Sequence, residues 1–116
     1  RQMCIRDRLE AMGTDLSKTV IGLLKFFAST YNDVFEMPDP PLHDPVAVAL
    51  LIDRTVVKTR RSNVEIELNG KFTRGATVVD IYNRSGEAAN VDVALELDFD
   101  KFWSMMLDAV EKAGKA

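Results

Sequence analysis

His43 and Asp44 are the residues best suited to chemistry in this 116-residue chain. His43 is the only histidine, and it lies beside a carboxylate in the proline-framed segment Pro41-Leu42-His43-Asp44-Pro45. Histidine titrates near neutrality and therefore suits general acid catalysis. Aspartate supplies the hard oxygen atoms that Ca²⁺ or Mg²⁺ prefers. The residues alone leave a second interpretation open, in which Asp44 caps a helix that Pro45 begins and His43 is an ordinary loop residue.

Three helices are predicted in the N-terminal half of the chain. The first covers residues 3–12 and is ended by Gly13, because glycine is favoured just after a helix. The second begins near Asp15, capped by Asp15 or by the threonine before it, and must end by Met37 because prolines follow. Its apolar side chains recur every three or four residues, which predicts one continuous apolar stripe. The third, residues 46–52, is apolar on nearly all sides, so we expect it to be buried in something larger.

The C-terminal half changes to the periodicity of strands. Apolar and acidic residues alternate over residues 64–68, which is typical of a half-buried strand. Asn69-Gly70 predicts a two-residue hairpin turn, and Arg74-Gly75 a bulge before a second strand at residues 77–82. After a polar loop, residues 91–97 alternate again and predict a third strand.

A final amphipathic helix follows, with Asp98 or Asp100 as its N-cap. The order of helices, strands and helix fits part of an α/β or α+β domain. We expect the short basic run Lys58, Arg60 and Arg61 to lie on a solvated strand edge or in a loop.

The composition is that of one globular domain, with 47% apolar and 28% charged residues. A formal charge of -3 gives no basic excess for binding nucleic acid. The single cysteine excludes an intrachain disulfide and a cysteine-based zinc site, and it favours a reducing, cytoplasmic setting. No segment has the length of about 20 apolar residues that crosses a bilayer, so no membrane partner is expected.

Several segments together resemble the inosine-uridine-preferring nucleoside hydrolase family. Residues 41–49 resemble the family's motif in which a histidine-aspartate pair opens a buried helix, and residues 20–35 its active-site flap helix. Residues 72–80 resemble its Leu-Thr-Arg-Gly-x-Thr-Val-Val-Asp segment. Residues 90–98, followed by Phe102-Trp103, resemble its closing strand and helix. These matches occur in the family's order, which makes them specific as a set.

The resemblance implies a function and roles for four residues. The reaction is attack of water at C1′ of a ribonucleoside through an oxocarbenium-like transition state, as in glycoside hydrolysis. His43 faces the leaving base as the catalytic acid, and Asp44 is a Ca²⁺ ligand. Tyr31 and Phe35 lie four residues apart on the flap helix and contact the base. For both aromatic residues, packing in the core is the open alternative.

The resemblance also indicates which part of the family's domain is represented. The family's aspartate cluster, Asp-x-Asp-x-x-x-Asp-Asp, and its ribose-binding asparagines and glutamate have no match here. We therefore expect residues 9–116 to be the C-terminal part of a Rossmann-like α/β nucleoside hydrolase domain. Residues 1–8 match poorly and are interpreted as a non-native leader.

Two functional hypotheses follow. In the first, the chain is part of a cytoplasmic, Ca²⁺-dependent nucleoside hydrolase of purine or pyrimidine salvage, homo-oligomeric at full length and inactive as this chain alone. In the second, it is a free-standing, non-catalytic α/β module that binds a partner through exposed helix faces.

Overall fold

The computed structural model describes residues 2–37 and 41–116. The chain forms two units, a helical unit and a sheet unit. The helical unit contains helices α1 (Gln2–Met12), α2 (Asp15–Phe35) and α3 (His43–Ile52), a 3₁₀ turn (Arg54–Val56) and helix α4 (Phe99–Gly114). The sheet unit contains strands β1 (Val57–Ile66), β2 (Thr77–Asp80) and β3 (Val91–Leu97).

The ends of the first two helices follow local capping chemistry. Gly13 adopts a φ of 66° after α1, a conformation that glycine reaches without steric cost. The Thr14 hydroxyl accepts a hydrogen bond from the Ser17 amide at 3.1 Å and so caps α2. At the other end, Glu36 has a φ of 54° and donates its N–H to the Asn32 carbonyl at 3.0 Å. Both predicted helix ends, and threonine as one of the two predicted caps, are confirmed.

The core of the helical unit is formed where α1, α2 and α4 meet. Ile5, Leu9 and Leu107 are its buried centre, and the half-buried side chains packed around them are Met12, Val20, Ile21, Leu24, Phe99, Trp103 and Val110. Phe102 is buried as well, at 2% exposure. The final amphipathic helix is therefore confirmed. Ile5 belongs to the segment interpreted as a non-native leader; residue 1 lies outside the described residues, and the origin of residues 1–8 stays a hypothesis.

Helix α3 begins earlier than predicted. It begins at His43, with Leu42 as an N-cap residue that makes no side-chain hydrogen bond, and not at Pro45 with Asp44 as its cap. Ala49 is buried, while Leu51 is 87% exposed. Helix α4 and the 3₁₀ turn contact α3, and its expected burial in something larger stays a prediction.

The sheet is antiparallel, with strand order β2-β1-β3. Strand β1 begins at Val57, seven positions earlier than the alternation at residues 64–68 suggests, and it is the central strand. Pairing with β2 begins only at Asn63, so residues 58–61 have a strand neighbour on one side, β3. The expected solvated strand edge for Lys58, Arg60 and Arg61 is therefore confirmed, and all three side chains are exposed.

The connection between β1 and β2 is longer than the predicted hairpin. The Glu67 carboxylate accepts hydrogen bonds from the Asn69 and Gly70 amides at 2.7 and 2.9 Å, which lowers its pKa. This side-chain bonding competes with the tight turn, so the two-residue prediction is wrong. The predicted bulge is confirmed, because Gly75 and Ala76 both pair with the backbone of Glu67, at 2.7 and 3.0 Å. Gly75 has the φ of 88° that this bulge requires of a glycine.

The remaining predicted elements agree closely with the structure. Strand β3 covers residues 91–97 as expected, and Asp98 immediately precedes α4. Strand β2 ends at Asp80, two residues before its predicted end. The reason is that the Asp80 carboxylate accepts hydrogen bonds from the amides of Arg84 and Ser85, at 2.9 and 2.8 Å, and so starts a turn. None of the described helices has both the length and the apolar character needed to cross a membrane.

Candidate functional site

His43 and Asp44 are the first two residues of helix α3, and both side chains are exposed. Because Asp44 already has helical geometry, it is not the N-cap, and the capping interpretation of Asp44 is wrong. Its carboxylate lies in the first turn, where the helix dipole favours negative charge. Among the described residues, this carboxylate takes part in no hydrogen bond or ion pair.

A polar link at the other end of α3 holds this helix in place. Asp53 donates its backbone N–H to the Ala49 carbonyl at 2.8 Å and ends the helix. Its carboxylate accepts hydrogen bonds from the Thr55 amide and hydroxyl at 2.8 and 2.7 Å, and from the Lys101 ammonium of α4 at 2.7 Å. The lysine, followed by the threonine, lowers the pKa of Asp53 to about 2. The link ties the end of α3 to α4 and so supports the helix that carries His43.

The sequence interpretation missed this link. The Asp-x-Thr spacing of Asp53 and Thr55 is itself a signal, because aspartate often accepts a hydrogen bond from the amide two residues later. The lysine could not be found in the same way. The hydrogen bond between Lys101 and the Thr55 hydroxyl joins residues 46 positions apart, and no local pattern relates them.

The candidate base-contacting residues form part of an aromatic row along the C-terminal half of α2. The ring centroids of Phe27 and Tyr31 are 4.7 Å apart, and those of Tyr31 and Phe35 are 5.2 Å apart. Tyr31 is half-buried, and Phe35 is 60% exposed. Within the described residues Phe35 is therefore not packed in a core, while base contact and core packing both stay predictions for the full-length domain. The row presents an aromatic surface at the end of the helix.

The structure brings the four candidate residues together only as two pairs. His43 and Asp44 are neighbours on α3, while Tyr31 and Phe35 share one face of α2. Residues 38–40, between the two helices, lie outside the described residues. In the rest of the chain no hydrogen bond joins one pair to the other, and no group of three or more histidine, cysteine, aspartate or glutamate side chains could hold a metal ion.

Comparison with solved structures defines the class of fold. The chain superposes on a purine-preferring ribonucleoside hydrolase from Gardnerella vaginalis with a TM-score of 0.76 at 24% sequence identity, covering 96% of this chain and 35% of that one. A plant nucleoside hydrolase gives a TM-score of 0.72 at 19% identity, over 91% of this chain and 36% of that one. The expected fold class, part of an α/β nucleoside hydrolase domain, is confirmed.

Comparison with families identifies the chain more closely. Residues 2–104 match the model of the inosine-uridine preferring nucleoside hydrolase family. The chain therefore belongs to this family, as its sequence motifs indicate. The matched range contains all four candidate residues.

Curated relatives show how much of the family's domain is represented. The chain is 40% identical to a probable ribonucleoside hydrolase of Dictyostelium discoideum over 90% of this chain and 31% of that protein. It is 38% identical to the inosine-uridine preferring nucleoside hydrolase of Crithidia fasciculata, over 95% of this chain and 35% of that protein. The chain thus spans about a third of the length of the curated relatives it matches.

Proposed function

We propose that this chain is the part of a ribonucleoside N-ribohydrolase that supplies the group assisting departure of the base. The reaction hydrolyses the N-glycosidic bond of purine or pyrimidine nucleosides to base and ribose, as the names of the relatives suggest. The observation that carries the proposal is the placement of His43 and Asp44 at the exposed start of α3. The Asp44 carboxylate lies inside the first turn there and does not act as the N-cap of the helix.

His43 is proposed as the group that acts on the leaving base. When water attacks C1′ and the N-glycosidic bond breaks, electrons move onto the base nitrogen. An imidazole that donates a proton or a hydrogen bond there stabilises charge that develops only as the bond breaks. General acid catalysis of this kind contributes typically about 10²–10⁴-fold to the rate. His43 should therefore affect kcat more than substrate binding.

Tyr31 and Phe35 are proposed to contact the base through their rings. Aromatic rings prefer offset or edge-to-face contacts, and the row on α2 leaves Phe35 with most of its surface open for such a contact. The phenol of Tyr31 has no hydrogen-bond partner among the described residues. It could therefore donate to a polar atom of the base.

Asp44 is proposed to contribute one carboxylate to a Ca²⁺ site. Its exposed side chain, with no partner in the described part of the chain, has the donor chemistry that Ca²⁺ prefers. What bound Ca²⁺ supplies is positive charge that orients water and hydroxyl groups and lowers the pKa of bound water. Since the described residues hold no cluster of three candidate ligands, the other ligands belong to the remaining length of the family's domain, and this chain alone should be inactive.

A second candidate function is a non-catalytic binding module. The observation favouring it is the exposed apolar surface of α3, where Leu51 is 87% and Ile52 74% exposed. Apolar surface of this kind marks interaction sites or promotes association. In a family enzyme the same surface would instead be covered by the rest of the domain.

A chimera tests the proposed function. Residues 2–104 would replace the matched segment of the Crithidia fasciculata relative, and release of base from inosine and uridine would be measured. We expect an active chimera whose kcat falls about 10²–10⁴-fold on His43→Ala. His43→Gln should remain impaired, because glutamine donates a hydrogen bond but no proton. Asp44→Asn should weaken Ca²⁺ binding and turnover together, because affinity depends on ligand charge.

Asp33→Asn is the matched control, since Asp33 is another exposed helical aspartate. It should leave kcat and Ca²⁺ affinity unchanged. A folded chimera, verified by circular dichroism, that retains full kcat after His43→Ala contradicts the role of His43. Unchanged calcium binding in the Asp44→Asn variant contradicts the metal role.

A further inference from the structure

The Asn69-Gly70 dipeptide contains reactive groups that the proposed function does not use. Asparagine is one of the thermally labile residues of proteins. Its side-chain amide carbon can be attacked by the backbone nitrogen of the next residue, which releases ammonia. A glycine at that next position has no side chain to shield the nitrogen, and its backbone reaches conformations closed to other residues. The dipeptide therefore has the chemistry of a deamidation site.

The structure leaves the side chain of Asn69 accessible. Asn69 lies in the connection between β1 and β2, outside both strands, and it is exposed. Its side-chain amide takes part in no hydrogen bond among the described residues. A Cβ atom on residue 70 would overlap the Thr73 hydroxyl, so the fold of this loop favours glycine beside the asparagine.

Three of the four other asparagines are held by the fold. Asn32 lies inside α2, where helical geometry fixes its backbone. The Asn63 side chain donates to the Ala88 carbonyl at 3.0 Å. The Asn90 side chain pairs with both backbone groups of Val64, at 2.9 and 3.0 Å. Attack on these side-chain carbons requires local unfolding or the loss of those hydrogen bonds.

The fourth, Asn83, is the best comparison for Asn69. The next amide, that of Arg84, donates to the Asp80 carboxylate at 2.9 Å. In the same way, the Gly70 amide donates to the Glu67 carboxylate at 2.9 Å. Both potential nucleophiles are thus held by a carboxylate, and they differ in that only Arg84 carries a side chain.

The Glu67 carboxylate opposes the reaction at Asn69. The nitrogen attacks after it has lost its proton, and a nearby negative charge disfavours that loss. The hydrogen bond to Glu67 also has to break first, and a bond to a charged acceptor is roughly twice as strong as one to a neutral acceptor.

We propose that Asn69 is a site of spontaneous deamidation whose rate is controlled by the Glu67 carboxylate. The Gly70 nitrogen gives its proton to hydroxide and bonds to Cγ of Asn69, and the side-chain nitrogen takes up a proton and leaves as ammonia. Water then opens the resulting succinimide at either carbonyl carbon, which gives aspartate or isoaspartate. One water is consumed and one ammonia released, without His43 or Asp44, so the proposal is independent of the proposed function.

The test is incubation of the folded 116-residue chain in mildly alkaline buffer, with peptide mapping by mass spectrometry at intervals. We expect Asn69 to be the first asparagine to convert, well before Asn83, and to give separate aspartate and isoaspartate peptides. Glu67→Gln should accelerate the conversion about fivefold, because glutamine offers the Gly70 amide only a neutral acceptor.

Glu65→Gln is the matched control, since Glu65 is an exposed carboxylate of β1 that accepts no hydrogen bond from the Asn69 or Gly70 amide. It should leave the rate at Asn69 unchanged. In concentrated urea, the parent chain and the Glu67→Gln variant should convert at the same rate, because the hydrogen bond exists only in the folded loop.

Conversion of Asn69 no faster than that of Asn83 overturns the assignment of the site. An unchanged rate in a Glu67→Gln variant that is folded by circular dichroism overturns the role of Glu67. An acceleration that persists in urea also overturns that role, because the effect would then come from the local sequence and not from the folded loop.

Discussion

The helical unit and the sheet unit are stabilised in different ways. In the helical unit the buried residues are six apolar ones and the polar Ser17, the apolar ones being Ile5, Leu9, Ala49, Val56, Phe102 and Leu107. In the sheet unit the buried residues are Val57 and Ser62, one of them polar. The sheet unit instead has many side-chain hydrogen bonds at the ends of its strands, such as those of Glu67, Asp80 and Asn90.

The two units therefore differ in the interactions that determine their specific structures. Apolar burial is strong but has no direction, so the helical unit depends on how well its side chains fill the space between helices. A hydrogen bond contributes less net stability but demands a particular geometry. The sheet unit therefore depends on a few polar residues that shape its turns.

The largest effect is expected for a buried leucine of the helical unit, compared with a half-exposed leucine of the sheet unit. Leu107→Ala in α4 removes a side chain that is 2% exposed and should cost about 2–5 kcal/mol of unfolding free energy, through lost burial and a cavity. Leu95→Ala in β3 truncates a side chain that is 48% exposed and should cost less than about 1 kcal/mol. Urea unfolding followed by circular dichroism measures both. Equal losses from the two changes would contradict the comparison.

A second prediction concerns the polar link between Asp53 and Lys101 in the helical unit. The pKa of Asp53 lies near 2 in the folded chain, below its ordinary value of 3.8. A depressed carboxyl pKa stabilises the folded state above pH 3.8, and this contribution is lost as the pH falls from 3.8 towards about 2. Asp53→Asn should therefore flatten the acid limb of the Tm against pH curve.

The control for this prediction is Asp108→Asn. Asp108 is an exposed aspartate on α4, and it has no ion-pair partner among the described residues. Its replacement should leave the steepness of the acid limb unchanged. If both variants lose the same stability on acidification as the parent chain, the link does not contribute.

The smallest expected effect belongs to the ion pair between Lys58 and Glu96 across β1 and β3. The two groups are 2.6 Å apart, and Glu96 raises the pKa of Lys58, but both side chains are largely exposed. Exposed pairs contribute little, because water screens them and long side chains lose freedom. Glu96→Gln should lower Tm slightly at low salt and not at all in about 1 M NaCl, where the Debye length is about 3 Å.

The matched control for this pair is Glu65→Gln on β1, the strand that carries Lys58. Glu65 is an exposed carboxylate whose side chain has no ion-pair partner in the described part of the chain. Thermal melts at both salt concentrations should show no salt-dependent difference for this variant. If Glu96→Gln still lowers Tm at high salt, then packing of the two side chains, and not their charge, stabilises the fold.

The predictions from sequence succeeded where short-range interactions decide the structure. Thr14 and Gly13 act within one helical turn, so the boundary between the first two helices could be predicted from the residues beside it. The bulge at Gly75 could be predicted for the same reason, since its φ of 88° is readily accessible to glycine. The pairing of His43 with Asp44 and the family assignment came from motifs in the primary sequence.

The predictions failed where a distant or competing partner decides the structure. The link of Asp53 to Lys101 and the start of β1 at Val57, which pairs with Leu97, depend on segments far away along the chain. At Asn69-Gly70 the local signal itself was ambiguous, because the Glu67 carboxylate offers the same amides another partner.

The sequence by itself determined the helices, the boundary between the first two of them, the strand periodicity and the position of the candidate catalytic pair, because these depend on side chains within a few residues of one another. Only the tertiary structure decided the start of α3, the exposure of Phe35 and the order of the strands. Each of these depends on which groups from other segments fill or leave the space around a residue, and spacing along one strand or helix carries no information about that.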